Sequence, residues 1–516
     1  TGAGDPAGAE AAYERALAGC RETWFPQICS ETKIWLAYLK NNRRQIQEAK
    51  RWASEAKKDS QTGGLPVFEA KANARLAVAE DLRERFALAR AYASEASLQK
   101  LDCPSANTGR ELLAKIALGE GNAGEARRQL EAVTRCGPGA PRFGMIGTET
   151  LATLASDRQG AWETGRTWLR ETIAQHRAQP DTSWLETTAF RLFEARVDLV
   201  EDRAKGQGAL EALVAEAGQR AGTDEAAAMV RIVATSALAV DAGLRGEYPA
   251  ALARLEAAQG LSPQRPCVLG AAIDGARGVF VARTDKGKIV GEHQASLPRT
   301  AGPLAVPKAI VDAVAGCDEV GVLATAPLLG QPRLLPPTRA WAYLRTPGAV
   351  APSAGSVRRL VIYDARPPDD LGLPRLPAVP ALTLEGAVTE VLQGAAATPS
   401  AALSRAMQAD LVEWHVHGLL DPEISDAAAL ALSPEGDGRN LLTAADILKT
   451  TFPRKPGVIL GACRAGQSAR YGAYQWSLPL AFLTAGARWV IASPTPVEDT
   501  EAPAFFAGVW ARIGKG

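Results

Sequence analysis

The sequence predicts an α plus α/β protein: a helical repeat region first, then an α/β region whose mostly parallel central sheet is covered by helices. Three observations carry this. Residues 9 to about 260 are dominated by Ala, Leu, Glu and Arg with few β-branched runs, which is a helical composition. Similar segments recur there at intervals of 37 to 44 residues. After "GLSPQRPC" (260–267), whose two prolines cannot continue a helix, the apolar period changes from 3.6 to 2.

At 516 residues the chain is too long for one core, so two or three domains are expected. Fifty-eight basic against 57 acidic residues leave no net field for nucleic acid or an anionic membrane surface. No run of 18 apolar residues is present, so no membrane-spanning segment is expected. The first residue is Thr1 rather than Met, which reads as processing or cropping. Seven cysteines do not make a disulfide scaffold. A soluble, cytoplasmic protein with unpaired thiols is the favoured expectation. Oxidised pairs in an extracytoplasmic compartment are the alternative, drawn from Cys20, Cys29, Cys103 and Cys136; Cys103 and Cys136 sit near equivalent repeat ends.

In the helical region, "EAKRWASEA" (48–56) parallels "LARAYASEA" (88–96), and "GNAGEARRQLEAV" (121–133) parallels "GEYPAALARLEAAQ" (246–259). Weaker copies stand at "GAWETGRTWL" (160–169) and "GQGALEALVAEA" (206–217). Aligned, they share a small residue: Ala49, Ala89, Ala126, Gly165, Ala209 and Ala251. Such a residue lets the second helix of a pair approach its neighbour closely. Each unit therefore reads as one helical hairpin, and residues 1–262 resemble a tetratricopeptide-type solenoid with longer helices. Stacks of this kind present a concave surface to a peptide or protein.

Beyond it, "CVLGAAIDG", "GVFVART" and "KIVGEHQAS" read as short strands, followed by a helix near 306–316 and the strand "EVGVLAT" (319–325). A Pro-rich connection leads to "RRLVIYD" (358–364), a strand, then helices near 384–393 and 400–409. "DLVEWHV" is the next strand, with a helix near 443–449 after it; "GVILGA" is a strand, 474–484 a helix, and "ARWVIAS" (487–493) a strand. Apolar strands separated by helices suggest a parallel sheet covered on both faces. Ligands of such sheets bind outside the carboxyl ends of the strands. Those ends carry Asp364, His417, Cys463, and Ser493 with Glu498 and Asp499 beyond it.

A thiol needs a base or an electropositive setting to act as a nucleophile at neutral pH. His417 and Cys463, on neighbouring strand ends, supply a base and a thiol across one crevice. The N–H groups of Gly418 and Cys463 can form an oxyanion hole. Ala462, Ala465 and Gly466 keep the space around the sulfur open, and Arg464 adds positive charge. Taken alone, a cysteine after an apolar strand is ordinarily a small buried hydrophobe, and a strand-end histidine a hydrogen-bonded structural residue. Their order and placement together favour chemistry. A metal site from His415, His417 and Cys463 is the weaker option, since no second cysteine supports it. His176 and His293 read as surface residues. Asp364 and Asp499, with Glu498, are candidates for an acidic pocket wall that favours a basic residue before the cut, while Arg366 and Arg464 argue for an acidic or uncharged one; a basic or uncharged residue is the expectation.

The 46 residues from His417 to Cys463 (463 − 417 = 46) are close to the caspase spacing of a histidine about 50 residues ahead of its Ala-Cys-Arg stretch. "LEGAVTEV" (384–391), "DLVEWHVHGLLD", "ALALSPEGDGRNLLTAADIL" (429–448), "VILGACRAG", "LPLAFLTAGARWVIASPTPVEDT" and "FFAGVW" go further. Together they resemble the CHAT family, caspase-like domains associated with TPR repeats and related to separase and gingipains. The resemblance spans roughly 265–516 and is strongest over 355–510. It implies a catalytic dyad of His417 and Cys463, with Val497-Glu498-Asp499 at the family's Val-x-Asp segment. It also implies a non-catalytic caspase-like half at 263–350 and a catalytic half at 351–516. Arg464 stands where the family commonly has Glu, and Ala492-Ser493-Pro494 replaces Ser-Leu-Trp. The chain also stops where the family normally adds another helical stretch. The expected function is a cysteine endopeptidase that cleaves a specific protein substrate. The solenoid would recruit that substrate or receive an activating protein, and no metal or organic cofactor is implied. The alternative is an inactive or switch-like scaffold for protein interaction. Labelling of Cys463 by a thiol probe far faster than the other six cysteines discriminates the two.

Overall fold

Small residues decide how the helices stack. The described part of the first 260 residues holds α1 (Pro6–Glu22), α2 (Pro26–Asn42), α3 (Ile46–Thr62), α4 (Pro66–Leu82), α5 (Phe86–Leu98), α6 (Cys103–Gly119) and α7 (Ala123–Thr134). They are followed by α8 (Met145–Ser156), α9 (Glu163–Arg177), α10 (Trp184–Glu201), α11 (Arg203–Arg220), α12 (Glu225–Leu244) and α13 (Tyr248–Ala258). From α2 onward each even-numbered helix pairs with the odd-numbered one after it, and successive even-numbered helices pack along one another. Each unit is one helical hairpin. Ala49, Ala89, Ala126 and Ala251, near the start of the second helix of their hairpins, have no exposed surface. Gly165 is buried at the same place in α9. In α11 the close approach is made by Gly206, one turn before the aligned Ala209: a methyl there would lie 2.2 Å from the Leu199 nitrogen. The copy "GQGALEALVAEA" offers small residues at 206, 208 and 209, and a 3.6-residue period does not choose between adjacent turns.

The structure, a computed structural model, describes residues 6–509 except 23, 43–44, 84, 99–102, 136–142, 158–161, 179–183, 221–224, 262–264, 296, 298–303, 326–327, 332, 337, 345–356, 377–386, 421–427, 468, 472–473, 497–500, 502–504 and 507. Only the main chain is described at 6–7, 21–22, 42, 98, 103–105, 225–226, 469–471 and 474–476. The pairing of Cys103 with Cys136 and the positions of Glu498 and Asp499 therefore lie outside the described residues.

Within α12, residues Ala227–Leu244 are apolar enough by length and composition to cross a membrane. The fold uses this helix otherwise: Ala239, Val240 and Ala242 form one core cluster with Leu252, Leu255, Val268, Val279 and Val281. One buried carboxyl stands out in the helices. Glu111 of α6 accepts from the Gly144 and Gly147 N–H groups (2.7 and 3.2 Å) at the start of α8. Burial raises its pKa from 4.5 to about 7, against the two N–H donors. Between about pH 4.5 and 7 the folded chain thus holds a proton that the unfolded chain has lost, so this group's contribution to stability falls as pH rises. Glu111→Gln stays neutral but turns an amide NH2 towards one of the two N–H donors, so it is expected to lose this pH dependence. The melting temperature of the wild type should fall relative to that of the variant between pH 4.5 and pH 8. This relative fall corresponds to up to about 3 kcal/mol. Thermal melts of both proteins at the two pH values check this.

The strands that follow are β1 (Val268–Asp274), β2 (Arg277–Arg283), β3 (Ile289–Gln294), β4 (Glu319–Ala324) and β5 (Ala340–Tyr343), with α14 (Lys308–Ala313) before β4. They form a sheet of their own in the order β3-β2-β1-β4-β5. β1 runs antiparallel to β2 and β2 to β3, while β4 lies parallel to both β1 and β5. This sheet groups with the helices: one compact unit comprises Thr1–Leu329, Arg333–Arg345 and Arg470–Tyr474, the other Gly330–Pro332, Thr346–Ala469 and Gln475–Gly516. Two buried ion pairs tie helices to sheet, Glu256 of α13 with Arg283 of β2 and Arg196 of α10 with Asp274 of β1. Removing one partner of such a pair strands a buried charge at a cost of about 3–5 kcal/mol.

Among the described residues four cysteines are paired, Cys20 with Cys29 and Cys267 with Cys317. The second pair, which the sequence reading did not name, closes a loop of sequence separation 50 across the start of β1 and the turn before β4. Constraining a loop of that length contributes about 4 kcal/mol in the chain-entropy picture. Peptide mapping of unreduced protein is expected to recover both pairs, with Cys463 as a thiol; all seven cysteines reduced in native protein would contradict it.

The elements after β5 are β6 (Val357–Ala365), β7 (Ala387–Gly394), α15 (Pro399–Ala406), β8 (Leu411–His415), β9 (His417–Leu419), β10 (Ala429–Ala431), β11 (Leu441–Leu442), α16 (Ala444–Leu448), β12 (Gly457–Leu460), β13 (Ala469–Tyr471), β14 (Tyr474–Trp476), α17 (Leu478–Thr484) and β15 (Trp489–Ala492); all but residues 470–474 group in the second unit. The main sheet, in the order β15-β12-β8-β6-β7, is parallel throughout. Trp414 and Phe482 pack in a tilted pair in the core, with Phe452 stacked on Phe482, and Leu411, Ile459 and Phe506 form a second cluster. Fully burying each such ring contributes roughly 3 kcal/mol. One expected helix is a strand. The helix expected near 384–393 is, from residue 387 on, the strand β7, paired with β6 at the sheet edge. Val388, Thr389 and Val391 are β-branched, and sheet pairing lets Val388 and Val391 stay exposed. Likewise 474–476 is strand β14, so the expected 474–484 helix begins only at Leu478.

Candidate active site

Parallel pairing of β6, β8, β12 and β15 brings their carboxyl ends to one edge of the sheet. Asp364 is the last residue but one of β6, and Ser493 directly follows β15. The other two site residues do not sit on the main strands themselves. β8 stops at His415, and His417 opens β9, which turns away to pair antiparallel with β10. Cys463 lies three residues past β12, in a turn held by bonds from Gly466 N to Ser493 O (2.8 Å) and from Arg464 N to Thr495 O (3.2 Å). Arg464, with φ +57, is exposed and in the left-handed region, where a non-glycine residue is strained.

Gly418 joins the two segments. A β-carbon on it would lie 1.9 Å from the Cys463 carbonyl oxygen and 3.1 Å from its nitrogen. Only glycine lets the main chains come this close. The residue after His417 therefore touches the backbone of Cys463, although 46 positions separate the two side chains in sequence (463 − 417 = 46). Cys463 is half-buried and belongs to no disulfide.

His417 Nε2 lies 2.6 Å from the carbonyl oxygen of Pro374. A carbonyl can only accept, so Nε2 carries the proton, and in the neutral ring Nδ1 is left as the base. His415, two residues earlier, has a different role. It is buried, its Nε2 donates to Glu413 (3.1 Å), and Glu413 also accepts from the buried Arg359. Its ring lies edge-on to Phe506 and 2.8 Å from where a β-carbon on Gly461 would be. His415 and His417 thus serve separate hydrogen-bond networks. No group of three or more His, Cys, Asp or Glu side chains suited to a metal occurs among the described residues.

Asp364 was read as one wall of an acidic pocket. Both of its carboxylate oxygens accept from Arg375, at 2.9 Å each. This hydrogen-bonded ion pair holds its pKa below the usual carboxylate value. Its charge is paired with that of Arg375. Pro374, Arg375, Gly461 and the Arg359–Glu413–His415 network went unread in the sequence. The Gly461-Ala462-Cys463 run of small residues was the one signal for close packing there.

With this geometry in view, the comparisons with known proteins add one result. Residues 328–513 match the family model described as CHAT domain. The CHAT match takes in β5 and the whole second unit up to residue 513, and it leaves β1 to β4 outside. The C-terminal region is thus similar to a caspase-like, peptidase-related family. No curated protein matches the chain.

Proposed function

We propose that the CHAT region is a cysteine endopeptidase with His417 and Cys463 as its catalytic dyad. The observation that supports this is the close approach of Gly418, the residue after His417, to the Cys463 main chain. Nδ1 of His417 takes the thiol proton, while Nε2–H stays on the Pro374 carbonyl. The thiolate attacks the scissile carbonyl carbon and forms a tetrahedral oxyanion. The N–H groups of Gly418 and Cys463 receive that charge, each donor being worth about 3–4 kcal/mol in such sites. The imidazolium then gives its proton to the leaving amine. Water, deprotonated by the same Nδ1, releases the acid from the thioester.

The substrate is a protein, recruited or sensed through the helical hairpins 1–262. An interface of roughly 1,600 Å² fits on a solenoid of this length. If its ligand also activates the enzyme a hundredfold, the active arrangement must be favoured by about 2.7 kcal/mol. The residue before the cut is basic or uncharged in this reading, and a peptide library cut mainly after Asp or Glu would reject that. Two cysteine pairs fit an oxidising compartment better than a reducing one. The test of the whole reading is a proteome-wide search for new N-termini made by the wild-type protein and missing with Cys463→Ala. Identical sets from both proteins would refute it.

A further inference from the structure

The carbonyl that fixes His417 belongs to a segment that packing does not hold. None of residues 366–376 is buried. The segment runs through a 3-10 turn at Asp369–Leu371 and a left-handed Gly372 (φ +61) before reaching Pro374. Two ties hold its ends. Arg366 N donates to Ser433 Oγ (2.7 Å) at the start, and Arg375 reaches back eleven residues to Asp364 at the other end. Asp364 itself sits at φ +49, the left-handed conformation that Asp and Asn tolerate best. That backbone turns its carboxylate onto the Arg375 guanidinium, which presents Nε and Nη2 to the two oxygens in a forked, directional arrangement.

We propose that the Asp364–Arg375 ion pair is a positioning device for the catalytic base: it holds the Pro374 carbonyl where it captures His417 Nε2–H, keeping Nδ1 directed to the thiol side. The inference rests on the dyad reading above. Neither residue touches the reacting atoms, so both are positioning residues. The charged groups around the carboxylate are Arg375 and, further off, Arg366. The lowered pKa of Asp364 and the raised pKa of Arg375 keep the pair ionised from pH 6 to 9. Any change of behaviour within that range therefore reports the His417–Cys463 pair and not the clamp's own titration.

The experiment follows alkylation of Cys463 by iodoacetamide in the full-length protein, by peptide mass spectrometry, across that pH range. The variants are His417→Ala, Asp364→Asn, Arg375→Gln, the double variant Asp364→Asn/Arg375→Gln, and Arg375→Lys. Asn keeps the left-handed backbone at 364, so the charge is removed without new strain. Wild-type Cys463 is expected to react about tenfold faster than that of His417→Ala near pH 6.5, because the histidine supplies thiolate. Asp364→Asn and Arg375→Gln should each lose most of this advantage. The double variant should lose no more than either single one, as two ends of one interaction do, and Arg375→Lys should recover part of it. If His417→Ala differs from wild type while the 364 and 375 variants follow the wild-type profile, the clamp is refuted and the dyad stands. If His417→Ala leaves the profile unchanged, the dyad falls and the clamp with it. Additive losses in the double variant would also refute the clamp, since independent structural damage adds.

Discussion

Cys463→Ala and His417→Ala are each expected to abolish peptide-bond cleavage while leaving the fold in place. Cys463→Ala removes the atom that forms the thioester, and in enzymes of this logic the loss is about 10⁴–10⁶ in kcat. His417→Ala removes the base and the later acid, a loss of at least about 10²–10⁴. Both side chains are half-buried at the edge of the sheet, and neither belongs to the clusters around Trp414 or Phe506. Their removal should therefore move stability by no more than about 0.5–1 kcal/mol. Cleavage of a proteome-derived peptide library by the purified variants measures the first effect, and thermal melts measure the second. Undiminished cleavage by either variant would remove it from the dyad.

Gly418→Ala is expected to cost on the order of 10²-fold in activity without touching a reactive group. Its new carbon would stand 1.9 Å from the Cys463 oxygen, where ordinary contact needs more than 3 Å, so one of two backbones must shift by about 1 Å. Neither gives way cheaply. β9 is held to β10 through Gly418↔Leu430 and its neighbours, and the Cys463 turn is held to Ser493 and Thr495. A shift of that size between nucleophile and base costs on the order of 10²-fold in rate. The strain should lower stability by about 1–3 kcal/mol. The measurement is kcat/KM together with the alkylation rate of Cys463. Wild-type values for both would mean that Gly418 does not join the two segments as described.

These two expectations differ in origin. The placement of His417 and Cys463 just beyond two strand ends was legible from the sequence because its signals are local. An apolar run that ends on His-Gly, and another that ends on Gly-Ala-Cys, state both the chemistry and the strand that delivers it. The helical region was legible for a similar reason: Ala49, Ala89, Ala126 and Ala251 recur in phase with their helices, and each is buried where its hairpin closes. Period and composition act over a few residues, and a reader of the chain sees them directly.

What only the tertiary structure decided depends on partners far apart in sequence. Pro374 has no side-chain chemistry that could mark it; its carbonyl matters because β9 brings His417 to it across 43 positions. Arg375 has meaning only as the partner of Asp364, which the sequence offered as part of a pocket wall. β7 lies in a segment expected to be a helix and is a strand because β6 supplies its hydrogen bonds. Cys267 and Cys317 look like two isolated thiols until β1 and β4 lie side by side. In each case local preference is worth a fraction of a kcal/mol per residue, while strand pairing, ion pairing and burial between distant segments are worth several. The sequence by itself therefore determined the helical hairpins, the strands before His417 and Cys463 and the spacing of these two residues, and long-range contacts decided which neighbours each of those residues meets.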